Sequence, residues 1–137
     1  MGPGRNALAT LSRDRARGSV GIRVLGQLWL TLEPTNPARA LKCFERAASL
    51  GSTAAMLDLA GIFVAGEVVE PNPQASYTWL KRAAAGDDPR AWLKLGDVYA
   101  EGGLGQEADP DRARKTYERA RLQLPEQVEA RLQALRE

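Results

Sequence analysis

From Gly21 onward, apolar and small residues recur three, four and seven positions apart: Ala40, Phe44, Ala47 and Gly51, then Ala75, Trp79, Ala83 and Gly86, then Ala113, Tyr117 and Ala120. This spacing lays one apolar stripe along each of several helices, with small residues where a partner helix must come close. Between the stripes, the segment from Ala55 to Gly66 reappears 36 positions later as Ala91 to Gly102, matching in small, apolar and aromatic classes. A weaker earlier copy runs through Gly21, Ile22, Leu25, Gly26 and Trp29. Self-similarity at such a period marks a repeat architecture, in which each unit buries its apolar face only against its neighbours.

The punctuation agrees with the period. Asn36-Pro37, Asn72-Pro73 and Asp109-Pro110 each put a side chain able to cap a helix before a proline suited to its first turn. Gly51 and Gly86 read as the ends of two helices, and Ser52-Thr53 and Asp88-Pro89 as the starts of the next. Nothing resembles a strand pair. The last segment, Pro125 to Glu137, has Val128, Leu132 and Leu135 on one face with Glu126, Glu129, Arg131 and Arg136 elsewhere. It reads as a polar-backed capping helix. The expected fold is all-α: about three antiparallel helix pairs in residues 19–52, 53–87 and 88–124, a capping helix at 125–137, and a basic leader at 1–18.

Composition narrows the chemistry. The length of 137 residues favours one domain, and 44% apolar with 26% charged residues is ordinary for a folded protein. A net charge of +2 is too small for a dedicated polyanion binder. Histidine is absent and Cys43 is the single cysteine, so a histidine triad, a histidine metal cage and an internal disulfide are excluded. No catalytic residue, metal or cofactor is expected. The lone cysteine favours a reducing compartment, and the cytoplasm is the expected location. Through Arg23 the chain carries five arginines against Asp14 alone, so the Arg-rich start keeps organelle targeting or export open as an alternative. The apolar stretch Val24 to Leu32 is closed by Glu33-Pro34, and no run reaches about 18 apolar residues, so no transmembrane segment is expected.

The combination of Ala40, Phe44, Arg46, Ala47, Ala48 and Gly51 with Ala55, Leu59, Ala60 and Phe63 resembles the Sel-one-like repeat, a branch of the tetratricopeptide-like solenoids. The family's Gly-x-Gly-Val loop is approximated by Gly103-Leu104-Gly105-Gln106 and partly kept by Gly66-Glu67-Val68-Val69, while the first repeat has Leu32-Glu33-Pro34-Thr35. The resemblance covers residues 21 to 124. It implies an alpha-alpha superhelix serving as a non-catalytic protein-binding adaptor or scaffold, with the first helix of each pair lining a concave side. Positions counted from the small residues Gly26, Ala60 and Gly96 then select Gln27, Leu30, Gly61, Val64, Asp97, Ala100 and Glu101, with Arg23 and Arg90 about a turn earlier. Such a groove suits a peptide or partner protein with a few apolar anchors.

Other features read as structural. Trp29, Phe63, Trp79, Trp92, Tyr99 and Tyr117 read as inter-helix packing. Gly102-Gly103-Leu104-Gly105 lacks the Lys-Ser/Thr of a phosphate loop and reads as a helix-ending turn. Cys43 reads as a packed or half-buried thiol. Asp87-Asp88 and Asp109 with Asp111 read as helix-start charges, and Arg112, Arg114, Lys115, Arg119 and Arg121 as a solvated helix face. A second function class is a structural subunit, self-associating or part of a longer repeat array, because three repeats are near the lower limit for a stable stack. A third, nucleic-acid or anionic-membrane contact through the leader, has the least support, and no nucleic acid is expected as a partner.

Overall fold

The computed structural model describes residues 18–32 and 35–137. The expected leader falls on residues 1–17, outside this range, apart from Gly18. Seven helices occupy the described residues: α1 (18–31), α2 (Pro37–Ser49), α3 (Thr53–Ala65), α4 (Pro73–Ala85), α5 (Pro89–Glu101), α6 (Pro110–Glu118) and α7 (Pro125–Arg136). No strand occurs among them; only an isolated bridge joins Gly103 to Gln106 in the loop after α5. Helices α2 to α5 are each 13 residues long, so each spans about 20 Å.

The chain forms two compact units, Met1–Leu59 and Ala60–Glu137. Both use the same local devices. Asn36, Asn72 and Asp109 accept a bond from the backbone N–H three residues on, with nearly identical dihedral angles. Each also donates its own N–H to the carbonyl of an aromatic residue in the preceding helix: Asn36 to Trp29, Asn72 to Phe63 and Asp109 to Tyr99, at 2.6–2.8 Å. The three connections differ in length, yet all close on the same bond. Loop length is therefore absorbed between two fixed points, as expected when loop closure costs little per added residue.

Helix pairs meet where the small residues lie. A Cβ built on Gly26 of α1 would stand 3.2 Å from Cys43 and Phe44 of α2, and one on Gly96 of α5 would stand 2.4 Å from the Tyr117 ring. In α3 the equivalent residue is Ala60, whose carbonyl accepts the buried Ser76 hydroxyl at 2.8 Å. The α5–α6, α4–α5 and α6–α7 pairs pack against one another in the second unit. Their core holds Leu80, Ala83, Ala91, Leu95, Tyr99, Ala113, Tyr117 and Val128; Ala40, Phe44, Ala47, Ala55 and Leu59 are buried in the first unit.

One expectation is corrected. The stripe of α4 is Ser76, Leu80, Ala83 and Ala84 rather than Ala75, Trp79, Ala83 and Gly86. The buried residues lie four, eight and eleven positions after the capping residue in α2, α4 and α6 alike: Ala40, Phe44 and Ala47; Ser76, Leu80 and Ala83; Ala113, Tyr117 and Ala120. Aligning on the aromatic Trp79 shifts that register by one. Gly86 caps the end of α4 as expected, with φ −81°, and the left-handed position falls on Asp87 at φ +60°, as it does on Gly51 after α2 at φ +96°. Aspartate tolerates this region better than most side chains. Asp88 alone of the two acids caps α5.

Candidate interaction surface

The nine residues selected for the recognition face fall into two groups. Gln27, Gly61, Val64 and Glu101 are exposed, Val64 at 53%, and nothing lies within 4 Å of a Cβ built on Gly61. Leu30 and Ala100 are half-buried. The other three, all charged, are engaged within the chain. Arg23 forks onto Asp58, with Nε 2.5 Å from Oδ2 and Nη2 3.3 Å from Oδ1. Arg90 forks onto Asp88, the capping carboxylate at the start of its own helix. Asp97 accepts the Tyr117 hydroxyl at 2.6 Å and the Arg131 Nε at 2.8 Å on one oxygen, and Arg131 Nη2 at 3.3 Å on the other.

Two of these forks share a design. Arg23 and Asp58 are 35 residues apart, Asp97 and Arg131 34 residues apart, each close to one repeat period. In the first unit the pair ties α1 to α3; in the second it ties α5 to α7. The planar guanidinium matches both carboxylate oxygens, so each fork fixes register as well as charge. Asp58 and Arg131 escaped the sequence reading because nothing in a single helix singles them out. A search for opposite charges one period apart finds both.

The Asp97 cluster changes titration as well as geometry. Burial, and then the hydrogen bond to Asp97, push the Tyr117 phenol well above its usual value, and the bond to Asp97 raises Arg131. Burial pushes the Tyr99 phenol up to about 12, reinforced by the Tyr77 hydroxyl 2.7 Å away. Among the described residues no group of acids and cysteine is arranged to hold a metal ion.

The aromatic residues divide in the same way. Tyr99 and Tyr117 are buried, as the packing reading requires, and Phe63 is half-buried. Trp29, Trp79 and Trp92 are half-buried, each with an arginine over its ring: Arg39 at 5.1 Å, Arg82 at 4.9 Å and Arg119 at 5.3 Å from the centroid. Arg112 covers Tyr99 in the same manner at 4.2 Å. Arg39 and Arg112 occupy the same position, three residues after a helix cap, over aromatic rings whose carbonyls accept the cap N–H.

The 36-residue period, the shared caps and the small-residue contacts have a counterpart among known proteins. A family model described as Sel1 repeat matches residues 25–52, 53–88 and 89–123. The chain belongs to the Sel1 repeat family. It is similar to the crystal structure of a Sel1 repeat protein from Oxalobacter formigenes, with TM-score 0.75 and 28% identity over 93% of this chain and 98% of that one. It is also similar to c5321, a protective antigen present in uropathogenic Escherichia coli strains displaying an SLR fold, with TM-score 0.72 and 27% identity over 88% of this chain and 26% of that protein. Helicobacter pylori cysteine rich protein B shares the fold at TM-score 0.62 and 18% identity, over 80% and 85% of the two chains. No curated protein matches the sequence at a significant level.

Sel1 repeat proteins are generally non-catalytic protein–protein interaction modules. Their helical-repeat solenoid fold is the architecture expected from the sequence. Among the described residues no helix is long and apolar enough to cross a membrane.

Proposed function

We propose that this Sel1 repeat chain is an adaptor that binds a peptide or partner protein on the concave side implied for its first helices, and that it carries no catalytic activity of its own. The observation that carries this reading is the contrast at Gly61 and Val64. In a helix whose Leu59 and Ala60 are buried, these two residues face open space. An exposed valine beside a glycine leaves room for an apolar anchor from a partner. Glu101 on α5 belongs with them in the second unit, and Gln27 and Leu30 on α1 are the corresponding positions of the first unit. Arg23, Arg90 and Asp97 contribute by orienting their own helices, since their charges are already matched within the chain.

The test places a photo-crosslinking amino acid at position 64, 27 or 101 in turn, with position 133 of α7 as the control, and identifies adducts formed in cells. The expected result is one shared partner captured from the first three positions and absent from the fourth. Equal capture from all four, or none from the first three, overturns the reading.

A second reading, self-association, is favoured by α1. Val20, Val24, Leu25, Leu28 and Leu32 are exposed there, and the one charged side chain of residues 18–32 is Arg23, already paired with Asp58. A seam of this kind suits a second copy. Sedimentation across a dilution series tests it: a monomer at every concentration removes it.

A further inference from the structure

The basic cluster of α6 and the turn after it is two populations. Arg114 pairs with Asp111 at 3.0 Å, and Arg121 pairs with Glu118 at 2.6 Å and Glu129 at 3.3 Å. Arg112, Lys115 and Arg119, spaced three and four apart on the other side, have no carboxylate partner among the described residues. These three line a cleft of about 250 Å³ whose floor is Trp92, Leu95 and Tyr99 of α5. A chain with a net charge of only +2 thus gathers three unmatched cations along one concave strip.

The two arginines are held ready. Each lies over an aromatic ring, Arg112 at 4.2 Å from the Tyr99 centroid and Arg119 at 5.3 Å from that of Trp92, and a guanidinium held over a ring keeps N–H donors for an acceptor. Side chains already fixed this way lose less freedom when a ligand arrives. Arg112, Lys115 and Arg119 span seven residues, so about 10 Å along the helix axis, and the step from Lys115 to Arg119 is about 6 Å. Carboxylates at alternate positions of an extended peptide stand about 6.5 Å apart on one side.

We propose that the cleft between α5 and α6 is a docking site for an extended acidic peptide with alternating carboxylates. This surface differs from the first-helix positions discussed above and does not depend on them. The same cations would attract a nucleic acid, but Tyr99 is buried and Trp92 is covered by Arg119, so the cleft offers no open ring for base stacking. An anionic membrane offers a broad plane of charge, whereas these three cations form a single row along one helix beside a shallow cleft.

Fluorescence anisotropy on the full chain tests the proposal with a labelled peptide of alternating glutamate and serine, its glutamine-for-glutamate twin, an oligothymidylate, and phosphatidylserine vesicles. The expected result is salt-sensitive binding of the glutamate peptide over its twin. Lys115→Glu should weaken it at least tenfold and Arg114→Glu less than threefold. Among the described residues Lys115 makes no hydrogen bond, ion pair or ring contact, so its variant should keep the parent circular dichroism and melting temperature. Val64→Asp should leave this binding unchanged, which separates the cleft from the first-helix surface. Equal weakening by Lys115→Glu and Arg114→Glu, tighter binding of the oligothymidylate or vesicles, or no binding of the glutamate peptide overturns the proposal.

Discussion

Helices α1 and α7 are each tied to another helix of their own unit by a forked Arg–Asp pair about one repeat away, yet their outer sides are opposites. On α7, Val128 and Leu132 are buried while Glu126, Gln127, Glu129, Gln133 and Arg136 face water. On α1, Val20, Val24, Leu25, Leu28 and Leu32 are exposed. An ion pair one period long therefore sets register at both places, while burial differs. The lesson is that a polar-backed helix satisfies its neighbour and stops, whereas α1 leaves apolar area that another surface must cover to gain from it. Truncation should expose this contrast most strongly. Leu132→Ala is expected to cost about 3 kcal/mol in urea unfolding, and Leu28→Ala, at a residue already 42% exposed, less than about 1 kcal/mol. Equal costs at the two sites would mean that Leu28 is covered in the folded protein.

That asymmetry was partly legible beforehand. The polar back of α7 could be read from Glu126, Glu129 and Arg136, because amphipathicity is a property of one segment. The caps at Asn36, Asn72, Asp88 and Asp109 were legible for the same reason: an N-cap and the following proline are local chemistry. The forks were not, because Asp97 seeks Arg131 across 34 residues and Arg23 seeks Asp58 across 35. The stripe of α4 was misread by one position, since Trp79 is a more conspicuous residue than Leu80; counting from Asn72 restores it. The alignment of Gly26, Ala60 and Gly96 served to count positions along the first helices. It did not show that two of the three face aromatic rings.

The close contacts at the two glycines sharpen the comparison next. Gly96→Ala would set a methyl 2.4 Å from the Tyr117 ring, whose hydroxyl is anchored on Asp97. The ring cannot swing away without losing that bond. Overpacking should outweigh the gain in helix propensity of about 1 kcal/mol and leave a net loss of about 2 kcal/mol. At Gly26 the corresponding contacts to Cys43 and Phe44 are 3.2 Å, a distance that small shifts relieve. Gly26→Ala should then lie within about 0.5 kcal/mol of the parent, because propensity and crowding nearly cancel. Combining Gly96→Ala with Tyr117→Leu, which imitates Ala60 and Leu80, should cost less than the sum of the two changes; strict additivity would show that the ring is not what the methyl meets.

Alkaline pH separates the units in another way. All three tyrosines lie in the second unit, and the phenols of Tyr99 and Tyr117 are both raised. The folded state therefore holds their protons more tightly than the unfolded chain, where tyrosine ionises near 10. This contribution is complete below pH of about 10 and is lost as pH rises through it toward the folded values. Urea midpoints should fall as pH passes about 10, and Tyr117→Phe should flatten the fall while lowering stability at neutral pH through the lost Asp97 bond. An equally steep decline in that variant would assign the alkaline sensitivity to other groups.

The smallest effect concerns two turns that do the same work with different residues. Gly51 follows α2 at φ +96°, and Asp87 follows α4 at φ +60°; Ser52 and Asp88 then donate to Ala47 and Ala83 in matching bonds. A side chain in the left-handed region costs about 1–2 kcal/mol for most residues and less for aspartate. Asp87 also places a negative charge beside the carbonyl end of α4, which is unfavourable, and just ahead of α5, which is favourable, so its electrostatic effects offset. Asp87→Gly relieves the conformational cost but gives the unfolded chain more freedom. The net gain should be about 0.5 kcal/mol, a rise of about 2 °C in a thermal melt. Gly51→Ala, with no relief to offset the strain, should lower stability by about 1 kcal/mol. A loss of stability in Asp87→Gly would show that the Asp87 carboxylate contributes more to the α4–α5 turn than occupancy of a left-handed site.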